Sequence, residues 1–216
     1  MKYAGSVFVV FTCLALALGF GLGADAEPLI QKGGFIETAS ALGYFLAVVI
    51  LLVRFPARTC WQQSLLLIIF GLRELDFHEK LTTIKMTKSR FYISSEVPLY
   101  EKLIVIILIL LLVYVVYGLV RRHKIILSNA FRKSDNSAMC ILFGICFMVL
   151  SKLIDGIGRK LSGIGIELSN NSELLFAVFE EVYELSIPVY FLLAIFLSTP
   201  RPLSVSRKET VGNETL

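Results

Sequence analysis

The chain has 216 residues, 56% of them hydrophobic, with a mean hydropathy of +0.76 and a formal charge of +4. A soluble domain is about 45–50% apolar, and the excess here lies in long runs, which argues for membrane spans and against one large soluble core. The modest charge leaves no footprint for nucleic acid, and no stretch between the runs is long enough for a second domain.

The first run, "AGSVFVVFTCLALALGFGLG", follows Met1 and Lys2 and leads to Ala24 and Ala26 before Glu27. A basic start, an apolar stretch and small residues at the cleavage positions read as a signal peptide over residues 1–26. The run is also long enough for a first transmembrane helix. The second run, "FIETASALGYFLAVVILLV", stops at "RFPAR". The third begins near Thr59, stays apolar only to Leu72, and then reads "RELDFHEKL". The fourth, "LIVIILILLLVYVVYGLV", is entered through "EVPLYEK", where Pro98 suits a first helical turn, and ends at "RRHK". A polar connector, "SNAFRKSDNSA", leads to the fifth run, "MCILFGICFMVLSKLID". A glycine-rich loop, "GIGRKLSGIGIELSNNSE", then feeds "LLFAVFEEVYELSIPVYFLLAIFL".

The expected fold is an all-α, polytopic transmembrane helix bundle over residues 27–200, followed by a polar cytoplasmic tail, 201–216. It has five spans after signal-peptide removal, or six if the first run is retained. Cys13, Cys60, Cys140 and Cys146 form no CxxC pair and are expected as small buried hydrophobes. Gly118 and Gly144 are expected where helices pack closely, and Phe91, Tyr92 and Tyr100 as interfacial anchors.

The signal-like start and the basic cluster after the fourth run place the C-terminus in the cytoplasm of a bacterial inner membrane. On that topology 11 basic and 3 acidic residues lie inside, for a net +8, while 10 basic and 14 acidic residues lie outside, for −4. The acids therefore concentrate at the outer face.

Many of them fall within membrane depth. A span of about 20 residues from Thr59 reaches His78, so Arg73, Glu74, Asp76 and His78 belong to that helix. Glu74 and His78 share one face, Asp76 and Lys80 another, and Arg73 reaches Asp76. Lys152, Asp155 and Ser151 cluster at the end of the fifth span. Glu37 lies one turn inside the second, on the face of Ser40 and Tyr44. Glu180 and Glu184 share a face of the last span, with Glu181 turned aside and Pro188 removing a hydrogen bond from the Glu184 carbonyl. An acid facing lipid costs about 2.5–3.5 kcal/mol on insertion scales, so these groups should point inward and meet.

The acids Glu37, Glu74, Asp76, Asp155, Glu180, Glu181 and Glu184 outnumber the bases Arg73, Lys152 and His78. The surplus predicts shared protons or a bound divalent cation, with Glu74, His78, Glu180 and Glu184 as candidate ligands. Such an outward-facing acidic pocket suits sensing or transport. The alternatives are a membrane enzyme acting on a lipid or envelope substrate, and a network that only holds the bundle together. Beyond the bilayer, a homo-oligomer or a membrane-protein partner is the expected company. "HEKLT" lacks the second histidine of the zinc-protease motif, and no G-x-S-x-G, P-loop or dinucleotide fingerprint appears.

Overall fold

The computed structural model describes residues 2–21, 34–77, 89–94, 97–133 and 135–198. Glu27, His78, Lys80 and the tail 201–216 lie outside the described residues. Among those described the chain is all helical: α1 (Lys2–Gly21), α2 (Phe35–Arg54), α3 (Ala57–Glu74), α4 (Ser89–Ile93), α5 (Leu99–Lys133), α6 (Asn136–Ile154), α7 (Ile157–Ser162) and α8 (Asn170–Leu197). Apolar runs of this length form helices in lipid because only a helix satisfies every backbone group within its own segment.

Among the described residues three helices are long and apolar enough to cross a membrane: α2, the Leu99–Arg121 part of α5, and α6. This is a membrane protein. The apolar part of α1, Gly5–Gly21, is shorter. Helices α3 and α8 have 18 and 28 residues but carry charge: Arg58, Arg73 and Glu74 in one, four glutamates in the other.

The bundle is built around α8, which packs on α6, α2 and α1, while α3 pairs with α2. Helices α2 and α3 form a hairpin across Phe55 and Pro56, where Thr59 Oγ1 donates to the Pro56 carbonyl at 2.7 Å. Asp135 caps α6 by accepting from the Ser137 N–H at 3.0 Å, and Ser169 caps α8 by accepting from Ser172 N–H at 3.3 Å. Tyr44, Ala47 and Leu51 meet Cys60, Leu67, Phe147, Ile187 and Tyr190 in the main core. The Phe147 ring sits 4.9 Å from Tyr183 and 5.4 Å from Tyr190, each such pair worth about 0.5–1.5 kcal/mol beyond burial. Ala15 of α1 packs with Val178 and Val182, and Phe8 lies 5.5 Å from Phe147.

Glycines set the helix separations. A Cβ on Gly43 would lie 3.0 Å from Pro188 Cβ, and one on Gly144 3.3 Å from Tyr190 Cβ. One on Gly118 would collide with the Gln62 amide. Gly118 and Gly144 are thus the close-packing points expected of them.

Four sequence expectations need correction. Helix α3 ends at Glu74 instead of reaching His78: Asp76 takes a positive φ of 49° and donates its N–H to the Arg73 carbonyl at 3.0 Å. Asp is among the few non-glycine residues that tolerate this left-handed geometry, which ends a helix. Asp76 therefore lies beyond α3, and its expected neighbour Lys80 lies outside the described residues. Second, "SNAFRK" is helical, because nothing between Val120 and Lys133 breaks a helix. At 35 residues α5 is about 52 Å long, well beyond a bilayer core. Third, Phe91 is fully buried with Val97 and Val105, so it is a packing residue and not an interfacial anchor. Fourth, Cys60 and Cys140 are buried, but Cys13 and Cys146 lie on outer helix faces.

Candidate functional site

The end of the bundle where α3 and α6 terminate and α2 begins holds the charged side chains. Glu184 on α8 is the hub. Its Oε1 accepts from Arg73 Nη2 of α3 at 3.1 Å, from Lys152 Nζ of α6 at 3.0 Å and from Ser151 Oγ of α6 at 3.4 Å. Ser151 is 1% exposed and Glu184 9%, so their bond lies inside the packed bundle, while Arg73 and Lys152 reach Glu184 from a half-exposed edge. One carboxylate oxygen therefore ties three helices together.

The helical repeat explains the convergence. Arg73 is the penultimate residue of α3, and Lys152 is two residues from the end of α6. Both long side chains carry their charge toward α8 while their stems stay apolar. Lys152 Nζ also contacts Asp155 Oδ2 at 3.2 Å, and Arg73 Nη2 lies 3.8 Å from Glu74 Oε1. Glu74 is only 6% exposed.

Further acids surround this core. Glu181 lies within electrostatic reach of Glu184, Glu180, Glu37 and Glu74. Glu180 is within reach of Asp155, Glu184, Lys152 and Lys160. Tyr44, buried on α2, faces Glu74, Arg73 and Glu184. Ser40, between Glu37 and Tyr44 on one face of α2, is 1% exposed, and its Oγ has no hydrogen-bond partner among the described residues. That hydroxyl still has donor and acceptor capacity to offer the cluster.

The structure thus brings together Arg73, Glu74, Lys152, Asp155 and Glu184 by direct contact, with Glu37, Glu180 and Glu181 around them. Asp76 stands apart from α3 in its turn, and His78 lies outside the described residues. Of the proposed metal ligands that the structure describes, Glu184 is the hub, its Oε1 meeting Arg73 and Lys152, Glu74 lies 3.8 Å from Arg73, and Glu180 is within electrostatic reach of Glu184. Among the described residues no three His, Cys, Asp or Glu side chains converge as metal ligands.

Ser151 and Tyr44 stand closer to the centre than their supporting place in the sequence reading implied. Lys160 was missed there altogether, and so was Arg54, which donates to the carbonyls of Phe196 at 3.0 Å and Ser198 at 3.2 Å at the other end of α8. The available signal was a basic residue near a helix end, where unpaired carbonyls attract it.

Comparison with family models, with curated proteins and with solved structures finds no match for this chain.

Proposed function

We propose that this membrane protein uses the Glu184 cluster as an outward-facing site of proton uptake, serving sensing or transport across the bacterial inner membrane. The observation that carries the reading is the charge count. Among the described residues five acids (Glu74, Asp155, Glu180, Glu181, Glu184) lie around two bases, Arg73 and Lys152, with Lys160 at the margin. Unbalanced like charges at this spacing are costly in a medium of low dielectric, so the surplus is met by protons or by a cation. Protons suit the arrangement better than a divalent cation, because Arg73 and Lys152 already place two positive charges against the Glu184 carboxylate. Uptake would alter repulsion among α2, α3, α6 and α8, the four helices that meet there, and so couple proton binding to packing.

A second reading has its own support. The three bonds on one buried oxygen are what a structural clamp requires, and such a network holds helices together without binding anything. Thermal unfolding of the purified full chain separates the two. With uptake, the wild-type midpoint shifts with pH, and the Glu180→Gln/Glu181→Gln variant loses most of that shift. A midpoint that moves only on adding calcium or magnesium would mark a cation site in its place. Equal pH profiles for both proteins would leave the clamp alone.

A further inference from the structure

Helix α7 lies between the end of α6 and the start of α8, next to Asp155. It has no buried residue. It is bounded by two glycines in the left-handed region, Gly156 at φ 61° and Gly165 at φ 84°, positions where glycine rotates at little cost. Its backbone hydrogen bonds are local: Gly163 to Arg159, and Ile164 and Ile166 to Leu161. The segment is thus a short rigid piece between two pivots. A cleft lined by Gly158, Arg159, Ser162, Glu167 and Glu173 opens between it and the start of α8.

Lys160 fastens α7 to the end of α6, while on its other side Gly158 lies against the Glu173 carboxylate of α8. Lys160 Nζ donates to the carbonyls of Lys152 and Leu153, both at 3.3 Å. These belong to the last turn of α6, whose carbonyls have no helical partner and favour a cation. The same ammonium lies within electrostatic reach of Glu180. Lys160 therefore bridges the two helices that carry Lys152 and Glu184.

From this geometry we propose that α7 is a hinged strap, latched by Lys160 beside the charge cluster, and that it governs the access of water and ions to Glu180. With the latch closed, Lys160 covers the end of α6 and offsets part of the Glu180 charge. With it open, α7 swings about Gly156 and Gly165, and Glu180 meets the aqueous phase, to which the Asp155 side chain is already 43% exposed. The purpose assigned to the strap rests on reading the cluster as an uptake site, but its mechanics do not.

The test compares the full chain in lipid nanodiscs with its Lys160→Met and Lys160→Arg variants. Lys160→Met keeps the stem but loses the donors, so amide exchange in residues 157–164 should rise about tenfold, as for loss of a charge-assisted contact. Exchange in the α6 core, residues 140–147, should stay the same. Modification of Glu180 by a water-soluble carbodiimide should accelerate in parallel, while that of the already exposed Asp155 stays the same, and Lys160→Arg should resemble wild type. Unchanged exchange in Lys160→Met would overturn the latch. Faster exchange with unchanged Glu180 labelling would overturn the control of access. Because amide exchange in residues 157–164 does not depend on proton binding by the carboxyl groups, the latch can stand even if the uptake site is refuted by unfolding midpoints.

Discussion

Replacing Glu184 by glutamine keeps the shape of the hub and removes its charge. Two charge-assisted bonds end on Oε1, from Arg73 at 3.1 Å and Lys152 at 3.0 Å. Bonds to charged groups contribute about 1.5–3 kcal/mol each, and a neutral acceptor retains about half. The side chains of Arg73 and Lys152 are 39% and 44% exposed, which argues for the low end of that range. Glu184→Gln should therefore cost about 1.5 kcal/mol, and Glu184→Leu, which offers no acceptor, about 3 kcal/mol. For a chain of this size these correspond to drops of about 3–6 °C and about 6–12 °C in midpoint. Relief of repulsion from Glu180 and Glu181 works the other way, so both figures are upper values. The buried thiols of Cys60 and Cys140 supply the assay, since a thiol-reactive dye reports their exposure as the bundle opens. A double-mutant cycle with Lys152→Met should return a coupling of about 1 kcal/mol. The reasoning fails if Glu184→Gln shifts the midpoint no more than Ile107→Ala, a change on the exposed face of α5.

Gly43→Val should destabilise by about 1–3 kcal/mol, because even a Cβ there would lie 3.0 Å from Pro188; unfolding equal to wild type would remove the close crossing of α2 and α8. Arg54→Met should cost about 1–2 kcal/mol through loss of its bonds to the Phe196 and Ser198 carbonyls, and amide exchange at the end of α8 should quicken while the Glu184 end stays protected. Residues 1–26 are proposed to leave as a signal peptide, so the intact mass of the membrane-extracted protein should fall below the 24.1 kDa of the whole chain. A full-length mass would make α1 a retained helix of the bundle, held by Ala15 and Phe8.

The cluster was legible because lipid makes charge conspicuous. A glutamate in an apolar run has few places to go, and helical spacing from Glu184, Lys152 and Arg73 placed all three at one depth. What the sequence withheld was local or pairwise. The end of α3 depends on the backbone angle of Asp76, while the hydropathy pattern alone favours a longer helix. The polar connector reads as the break between two runs, yet its first residues continue α5 to Lys133, because polarity without glycine or proline does not stop a helix. Phe91 resembled an anchor until its contacts with Val97 and Val105 were in place. Lys160 and Arg54 act on carbonyls of distant helices, and such partnerships carry no periodic signature.

Infrared difference titration of the carboxyl groups tests the surplus of acids most directly. In the wild-type protein a protonated-carboxyl band should rise and fall with external pH, and it should shrink in the Glu74→Gln/Glu180→Gln/Glu181→Gln variant. A band of the same size in both proteins would contradict proton uptake by this cluster.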